Sequence, residues 1–272
     1  MTPRRSCLAV PGSSERMLAK APSLGADELV LDLEDAVAPA DKEAARARVT
    51  RLLEEGMRAS VRVNAPGTPW CHRDLIALGS RPASIVLPKV EGAGDLAFAD
   101  RLLTGVGAAG VRLQALIETA GGLARLGEIA AATERLDALI LGYADLAASL
   151  GRTRAGAGDL DGWRPAQEAL LVAARANGLQ AIDGPYLGVA ADAAFTAAAT
   201  RARDAGFDGK WAIHPSQVGP LNALFTPGDE ELERARRILA ALEDAGAVAL
   251  EGEMLDEAVA AWARRTLARA GA

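Results

Sequence analysis

Short apolar runs alternate with longer segments of helical period along most of the 272-residue chain. The runs are rich in Val, Ile, Leu and Ala and often close on a polar residue or a glycine, which is typical of buried strands. Eight runs fit this pattern, at Ser6–Val10, Glu28–Leu33, Ser60–Asn64, Ser84–Val90, Arg112–Glu118, Ala138–Leu141, Leu179–Ile182 and Gly209–Ile213.

The segments between the runs repeat Ala, Leu, Arg and Glu with the spacing of a helix. They predict helices at Ser14–Leu24, Asp41–Glu55, His72–Leu78, Gly94–Leu103, Gly121–Ala132, Trp163–Asn177 and Ala190–Ala205, and after the last strand at Gln217–Leu224, Glu230–Asp244 and Asp256–Arg269. Strands that alternate with helices indicate a parallel sheet. Eight repeats favour a closed (β/α)8 TIM barrel over an open doubly wound sheet, which commonly has five or six strands.

The predicted organisation is a barrel domain over residues 1–225 and a C-terminal helical extension over residues 226–272. The extension is longer than one closing helix requires, so we expect it to pack on the barrel or on a neighbouring subunit. Pro11–Ser14 follows the first strand without a G-x-G-x-x-G fingerprint. We interpret this stretch as a turn that ends in a helix cap, with phosphate contact as the alternative.

Composition narrows the class of protein. Half of the residues are hydrophobic, and 30 basic against 36 acidic residues are mixed along the chain, which indicates a soluble globular protein with no nucleic-acid partner. Two cysteines are too few for a secreted disulfide framework and are predicted to be reduced thiols. No apolar stretch approaches the roughly 20 residues of a membrane span. We therefore predict a cytoplasmic location and no membrane partner.

Ionisable residues follow seven of the eight predicted strands. This matters because barrel enzymes carry their chemistry at the C-terminal ends of the strands. The residues are Asp32, Glu34 and Asp35 at the end of the second strand, Arg62 at the end of the third, Lys89 at the end of the fourth, Glu118 at the end of the fifth, Asp145 after the sixth, Asp183 after the seventh and His214 after the eighth.

Glu118 and Asp145 are the candidate metal ligands, because they end adjacent strands and supply hard oxygen atoms. That pair suits Mg²⁺, which usually takes one or two carboxylates and leaves other positions to water and substrate. With only two histidines, a zinc site of two or three histidines is nearly excluded. The alternative is structural: Asp145 would cap a helix starting at Leu146, and Glu118 would pair with a lysine or arginine.

Other polar residues allow two interpretations each. Arg62 is placed to bind a substrate carboxylate bidentately, or to form a salt bridge to an acidic residue after the second strand. Lys89 and Lys42 are expected to form ion pairs, since nearby carboxylates would keep a Schiff-base lysine charged. His214 is expected to be structural, and His72 solvated.

Nine short motifs resemble the citrate lyase β-subunit-like branch of the HpcH/HpaI aldolase family. They lie in order along nearly the whole chain, at Arg5–Ser13, Asp32–Lys42, Val61–Asn64, Leu87–Lys89, Ile117–Ala120, Gly142–Asp145, Ala181–Tyr186, Gly209–Gln217 and Gly252–Asp256. Within the family, Thr68–Asp74 and Gly209–Pro215 look most similar to malyl-CoA and methylmalyl-CoA lyases.

The resemblance implies a barrel that binds Mg²⁺, or Mn²⁺ as an alternative, through Glu118 and Asp145, with Arg62 gripping an oxo-acid carboxylate. It implies a homotrimer or hexamer in which Asp256 acts as an acid/base in an adjacent subunit. Glu34 and Asp35 complete the predicted catalytic set. Lys20 matches a position near the coenzyme A phosphates, where Arg16 would replace a family arginine found here as Ser14.

The implied reaction is cleavage, or in reverse condensation, of a 3-hydroxyacyl-CoA such as malyl-CoA or citramalyl-CoA into an acyl-CoA and a 2-oxo acid. One alternative is a class II pyruvate aldolase acting on free hydroxy-oxo acids, whose histidine base near an early strand has no counterpart before His72. A second is a citrate lyase β-type subunit that works with an acyl carrier protein. The intact Arg62, Glu118, Asp145 and Asp256 argue against an accessory role.

Overall fold

A closed parallel barrel of eight strands forms the larger part of the computed structural model, which describes residues 3–152, 160–243, 247–250 and 252–270. The strands are β1 Ser6–Pro11, β2 Glu28–Asp32, β3 Ser60–Arg62, β4 Ser84–Leu87, β5 Arg112–Ile117, β6 Leu136–Leu141, β7 Gln180–Asp183 and β8 Gly209–Ala212. They follow chain order around the barrel, and β8 pairs with β1 from Ser6 to Leu8. The predicted (β/α)8 fold is confirmed.

Helices connect the strands and continue after the last one. They are α1 Glu15–Lys20, α2 Lys42–Glu54, α3 Cys71–Leu78, α4 Ala93–Gly105, α5 Ala120–Ala124, α6 Leu126–Ala130, α7 Tyr143–Ser149, α8 Leu160–Ala176, α9 Ala193–Ala205, α10 Val218–Phe225, α11 Asp229–Leu242 and α12 Glu257–Ala270. Short 3-10 turns precede α2 and α10 and follow α1. In the described ranges, no helix has both the length and the apolarity that a bilayer span requires.

The barrel interior is layered, with apolar side chains in the middle and polar ones at both ends. The middle layer consists of Cys7, Val30, Val86, Leu116, Ala138, Ile140, Ile182 and Trp211, all buried. Burial of this layer drives closure of the barrel, because apolar surface is removed from water on every strand. On β2 the layer separates Glu28, at the start of the strand, from Asp32, at its end.

Two strand boundaries differ from the predicted ones for identifiable reasons. β4 ends at Leu87 instead of Val90, because Lys89 adopts a left-handed backbone conformation with φ of 51°, which a strand cannot continue through. β6 begins at Leu136, before the predicted Ala138. Its pairing with β5 jumps from Leu113 opposite Leu136 to Gln114 opposite Ala138, so one extra residue bulges there.

A second compact unit contains Pro3 and the described residues from 223 onward. Its core is Ala235, Ile238, Leu255 and Ala263, contributed by α11, α12 and a hairpin. The hairpin pairs β9 Val248–Leu250 with β10 Glu253–Leu255, and it was not predicted. The predicted helix Glu230–Asp244 corresponds to α11, although Asp244 itself lies outside the described residues, as do residues 271–272 of the predicted extension.

Candidate active site

Arg62, the last residue of β3, is held by two acidic side chains, Asp32 at the end of β2 and Glu34 just after it. Its Nε donates to Asp32 Oδ1 at 2.8 Å and its Nη2 to Asp32 Oδ2 at 2.6 Å, while Nη1 lies 3.0 Å from Glu34 Oε2. The guanidinium also lies 5.6 Å from the centre of the Trp211 ring. Burial alone would lower the pKa of Arg62, but the Asp32 and Glu34 carboxylates raise it above its usual value. The predicted salt bridge is confirmed.

The chain turns sharply after β2, and this turn positions Glu34. Asp32 accepts hydrogen bonds from the backbone amides of Glu34 at 2.9 Å and Ala36 at 3.3 Å. Lys42 donates from Nζ to the carbonyl oxygens of Leu33 and Glu34, at 2.8 and 2.7 Å. The ion pair predicted for Lys42 is therefore wrong. The turn leaves both buried carbonyls without strand partners, and the ammonium binds them; the Glu34 carbonyl also accepts from the Val37 amide at 3.0 Å.

Lys89 connects the acidic residues across the barrel mouth. Its ammonium donates to Glu34 and lies 3.3 Å from Asp35 Oδ2 and 3.6 Å from Asp145 Oδ1. Burial lowers the pKa of Lys89, but the hydrogen bond and charge of Glu34 outweigh it and leave the pKa above its usual value. Lys89 is thus a charged ion-pair partner, as predicted, and unsuited to Schiff-base chemistry.

Glu118 is an almost fully buried carboxylate at the end of β5, with 2% of its surface exposed. Its Oε1 accepts from the backbone amide of Lys89 at 2.9 Å, so the predicted alternative of a side-chain salt bridge does not describe its contact. Burial, together with the charges of Glu34 and Asp145, raises the pKa of Glu118 to about 8, although Arg62 and Lys89 act in the opposite direction. A buried carboxylate whose pKa is shifted by burial and neighbouring charges is a candidate functional residue.

Asp145 lies in the first turn of α7, directly after β6. The helix begins earlier than expected, with Gly142 as its N-cap, so the alternative in which Asp145 caps a helix from Leu146 is wrong. Its side chain is 38% exposed, unlike that of Glu118. The side chain therefore reaches solvent at the barrel mouth, and its negative charge contributes to the raised pKa of Glu118.

The charges of this cluster fit a divalent cation with oxygen ligands. The five carboxylates are Asp32, Glu34, Asp35, Glu118 and Asp145, against the two cations Arg62 and Lys89. When all five carboxylates are ionised, they exceed the cations by three charges. A divalent cation would favour the ionised form of Glu118 and would offset most of that excess. Within the described ranges, no three His, Cys, Asp or Glu side chains form a dedicated metal cage. Mg²⁺ needs no such cage, because it commonly uses one or two carboxylates and keeps water ligands.

Beside Asp145, a buried network that the sequence analysis missed anchors the start of α7. Tyr143 donates its hydroxyl to Asp183, and Gln167 Nε2 donates to that hydroxyl at 2.7 Å. The Lys210 ammonium forms a buried ion pair with Asp183 and donates to the Gly184 carbonyl at 2.5 Å. All of these residues except Gln167 lie in the family-like motifs, which was the available signal. Their mutual contact depends on strand order and could not be read from spacing.

The remaining predicted residues belong to α1 and to the C-terminal unit. Arg16 and Lys20 are exposed on α1, four residues and hence about one turn apart. Ser14 caps that helix by accepting from the Met17 amide, which confirms the predicted cap. Asp256 belongs to the C-terminal unit, where it begins α12 and accepts from the Ala258 amide at 2.9 Å.

Neither histidine joins the carboxylate cluster. His72 is exposed at the start of α3, as predicted. His214 is also exposed, and its Nδ1 contacts Ser216 in the turn after β8, so its predicted structural role is confirmed.

Comparisons with known proteins agree with this geometry. A model of the HpcH/HpaI aldolase/citrate lyase family matches residues 5–215, and a model of carbon–carbon bond lyases of the TIM-barrel fold matches residues 191–272. An L-malyl-CoA/β-methylmalyl-CoA lyase of Cereibacter sphaeroides is 39% identical over 93% of this chain and 90% of its own. A (3S)-malyl-CoA thioesterase of the same species is 39% identical over 99% of this chain and 95% of its own length.

A solved structure extends the likeness to the fold. Protein CitE of Mycobacterium tuberculosis, in complex with magnesium, acetoacetate and coenzyme A, is 35% identical to this chain. The match has a TM-score of 0.83 and covers 98% of each chain. On its motifs, its barrel and these matches, the chain belongs to the HpcH/HpaI aldolase/citrate lyase family.

Proposed function

We propose that the protein is a Mg²⁺-dependent carbon–carbon lyase that cleaves, or in reverse forms, a 3-hydroxyacyl-CoA such as malyl-CoA. The products would be an acyl-CoA and a 2-oxo acid. One observation carries the proposal: Glu118, directly after β5, and Asp145, in the first turn of α7 after β6, both contact Lys89. Glu118 Oε1 accepts from its backbone amide at 2.9 Å, and Asp145 Oδ1 lies 3.6 Å from its ammonium. The malyl-CoA/methylmalyl-CoA lyases and the magnesium and coenzyme A complex of CitE support the substrate class and the metal.

Glu118 and Asp145 would hold the ion through carboxylate oxygens. When bound, Mg²⁺ supplies a Lewis acid that polarises the hydroxyl and carboxylate oxygens of the substrate. The buried Glu118 is oriented by the Lys89 amide at 2.9 Å, so its rotamer is set before any ligand arrives. Mn²⁺ as an alternative ion belongs to the same proposal.

Arg62 and Glu34 have complementary tasks in this scheme. The Arg62 guanidinium is already oriented by Asp32 and Glu34, and its remaining N–H groups would bind the carboxylate of the oxo-acid portion. Burial raises the pKa of Glu34 above its usual value, although Arg62 and Lys89 lower it. A carboxylate of raised pKa is a better base, so we assign to Glu34, assisted by Asp35, removal of the hydroxyl proton.

Cleavage of the carbon–carbon bond requires that one proton be removed from the substrate and one be returned to it. The hydroxyl proton passes to the carboxylate base, and the freed electron pair forms the carbonyl of the 2-oxo acid. The carbon–carbon bond breaks toward the thioester, giving its enolate. Asp256 of an adjacent subunit protonates the enolate carbon and leaves an acyl-CoA. This role for Asp256 requires that the protein form the homotrimer or hexamer implied by the resemblance. Residues 226–272 would then form an extension that brings Asp256 to the active site of the adjacent subunit.

The coenzyme A portion is assigned to α1. Arg16 and Lys20 are exposed one turn apart on this helix, so two positive charges share a face. Phosphate groups of a thioester substrate would bind such a pair. A cytoplasmic location belongs to the same proposal.

The experiment is an assay of purified protein with Mg²⁺ and malyl-, methylmalyl- and citramalyl-CoA, following release of the oxo acid as its phenylhydrazone. We expect Glu118→Gln to abolish turnover, because it removes the charge of one metal ligand. Glu128→Gln is the matched control, since Glu128 is exposed on α6. Normal turnover by Glu118→Gln would refute the metal assignment, and equal turnover of free hydroxy-oxo acids would refute the thioester assignment.

Thioester hydrolysis is a second candidate activity. It is favoured by the similarity to the (3S)-malyl-CoA thioesterase, whose alignment covers 99% of this chain. The two activities release different products from malyl-CoA. A lyase gives glyoxylate and acetyl-CoA without a free thiol, whereas a thioesterase gives malate and coenzyme A, whose thiol reacts with a disulfide reagent. Measuring oxo acid and free thiol in one reaction therefore separates them.

A further inference from the structure

Asp145, one of the two proposed metal ligands, has no hydrogen bond that orients its carboxylate. Among the residues that the structure describes, only Lys89 forms an ion pair with it, and the 3.6 Å between Nζ and Oδ1 exceeds hydrogen-bonding distance. Glu118, in contrast, accepts from the Lys89 amide at 2.9 Å. The position of the Asp145 carboxylate therefore depends on the first turn of α7, which carries it.

That turn is fixed to the strands on both sides of β6, which are β5 and β7. On the β5 side, the Gly142 amide donates to the Ile117 carbonyl at 2.9 Å. Gly142 also lies so close to Glu118 that an added methyl group would be 2.6 Å from its Cβ. On the β7 side, the turn is held by the side chain of Tyr143.

Tyr143 is engaged over its whole length. A Cβ on Gly184 would lie 2.8 Å from Tyr143 Cδ2, and the ring centres of Tyr143 and Trp163 are 5.1 Å apart. The hydroxyl donates to Asp183 Oδ1 and accepts from Gln167 Nε2 at 2.7 Å. Since the side chain is buried and its hydroxyl is already bonded, Tyr143 is suited to hold the turn in place and not to contact a substrate.

Asp183 is itself fixed by a buried ion pair with Lys210. The two residues are Cα partners in the register of β7 and β8, and 1% and 2% of their side chains are exposed. Replacing such a pair by packed apolar side chains is often neutral for stability, so stability alone is a weak explanation for it. The pair does give the carboxylate one orientation, with Oδ2 bonded to Lys210 and Oδ1 to Tyr143.

We propose that Asp183 and Lys210 are positioning residues for metal binding, which act through Tyr143 to hold Asp145 where it and Glu118 can bind the same Mg²⁺. This inference rests on the proposed function and assigns no substrate contact to the network. A carboxylate that is held in place before the ion arrives loses less freedom on binding, so the network raises the affinity for Mg²⁺. Partners outside the ligand shell typically contribute about 10- to 100-fold to metal affinity.

The test is calorimetric titration of the purified protein with Mg²⁺ in the absence of substrate, with the Tm measured in parallel. Tyr143→Phe keeps the ring and the ion pair but removes the hydroxyl that joins Asp183 to α7. We expect the dissociation constant for Mg²⁺ to rise about 10-fold. The double variant Asp183→Asn, Lys210→Met removes the ion pair without leaving a buried charge unpaired. It should also raise the dissociation constant, and it serves as the second variant if Tyr143→Phe does not fold.

Ser84→Ala is the control for a loss of stability alone. It removes a buried hydroxyl at the beginning of β4, which contacts Ser60 Oγ at 2.7 Å and accepts from Gln114 Nε2 at 2.6 Å. We expect it to lower the Tm, as Tyr143→Phe does, and to leave the dissociation constant for Mg²⁺ unchanged. If Tyr143→Phe likewise lowers the Tm but binds Mg²⁺ as the unmodified protein does, the network only stabilises the fold, and the proposal is overturned.

Glu118→Gln in the same titration separates this inference from the proposed function. Loss of Mg²⁺ binding in Glu118→Gln, together with unchanged binding in Tyr143→Phe, would overturn the positioning role and leave the metal assignment intact. Unchanged binding in Glu118→Gln, or no Mg²⁺ binding by the unmodified protein, would overturn the metal assignment and the positioning role with it.

Discussion

Gly142 provides the sharpest test of the candidate active site, because it touches Glu118 without carrying any chemistry of its own. It is the N-cap of α7, with φ of −108° and ψ of 103°, a conformation that alanine also adopts. Backbone strain therefore does not forbid Gly142→Ala. The added methyl group would instead lie 2.6 Å from Glu118 Cβ and 2.6 Å from Glu118 Oε2.

The size of the effect follows from these distances. Ordinary van der Waals contact begins near 3.4 Å, so both the Cβ and the carboxylate of Glu118 must retreat by about 0.8 Å, which also shifts the backbone at the end of β5. Misplacing a catalytic group by about 1 Å can cost about 100-fold in rate. Overpacking of this kind also costs about 1–3 kcal/mol of stability. We thus expect kcat/KM to fall about 100-fold, and half-maximal activity to require more Mg²⁺, while the protein still folds.

The assay is malyl-CoA cleavage as a function of Mg²⁺ concentration, with the Tm of each variant measured in parallel. Gly127→Ala is the matched control, since a methyl group there meets nothing within 4 Å and lies within α6. It should leave kcat/KM unchanged and stabilise the helix slightly. If Gly142→Ala keeps both the rate and the Mg²⁺ dependence of the unmodified protein, the position of the Glu118 carboxylate does not matter, and our reasoning is refuted.

Two further predictions concern buried polar groups. Tyr143→Phe removes the hydroxyl shared with Asp183 and should lower the unfolding free energy by about 1–3 kcal/mol in chemical denaturation. Tyr186→Phe is its control, because that hydroxyl makes only a 3.5 Å contact near the surface; equal losses in both variants would contradict the network. Burial raises the pKa of Cys71 to about 12 and that of Cys7 well above its usual value, so the native protein should resist a disulfide reagent at about pH 8. Unfolding should expose both thiols, and rapid reaction of the native protein would show that they are accessible.

The strand and helix pattern was predictable because it depends on local periodicity. Every β-strand of the barrel overlaps a predicted apolar run, and the polar residues after those runs do gather at one end. This works because parallel strands in a barrel all present their C-terminal ends at the same mouth. The family motifs added residue roles that periodicity does not contain, and the roles of Glu118 and Asp145 stay predictions for experiment.

Errors arose where a contact depends on the backbone of a distant segment. The left-handed conformation of Lys89 ended β4 early and aimed its amide at Glu118. Lys42 binds carbonyl oxygens that only the folded turn exposes to it, so its charge alone suggested the wrong partner. The hairpin of the C-terminal unit joins strands of three residues each, too short to show a period of their own.

The sequence by itself determined the class of fold, the number of strands and the end of the barrel at which charged residues collect, since these follow from hydrophobic period and chain order. The tertiary structure alone decided which charges meet. The sequence predicted an acidic partner for Arg62, but only the structure shows that Asp32 binds it through two hydrogen bonds. Asp137 reaches Arg4 through a bulge that the pattern did not predict. Such contacts depend on register and on shifts of one residue, which turn a side chain to the other face of a sheet and leave the hydrophobic pattern almost unchanged.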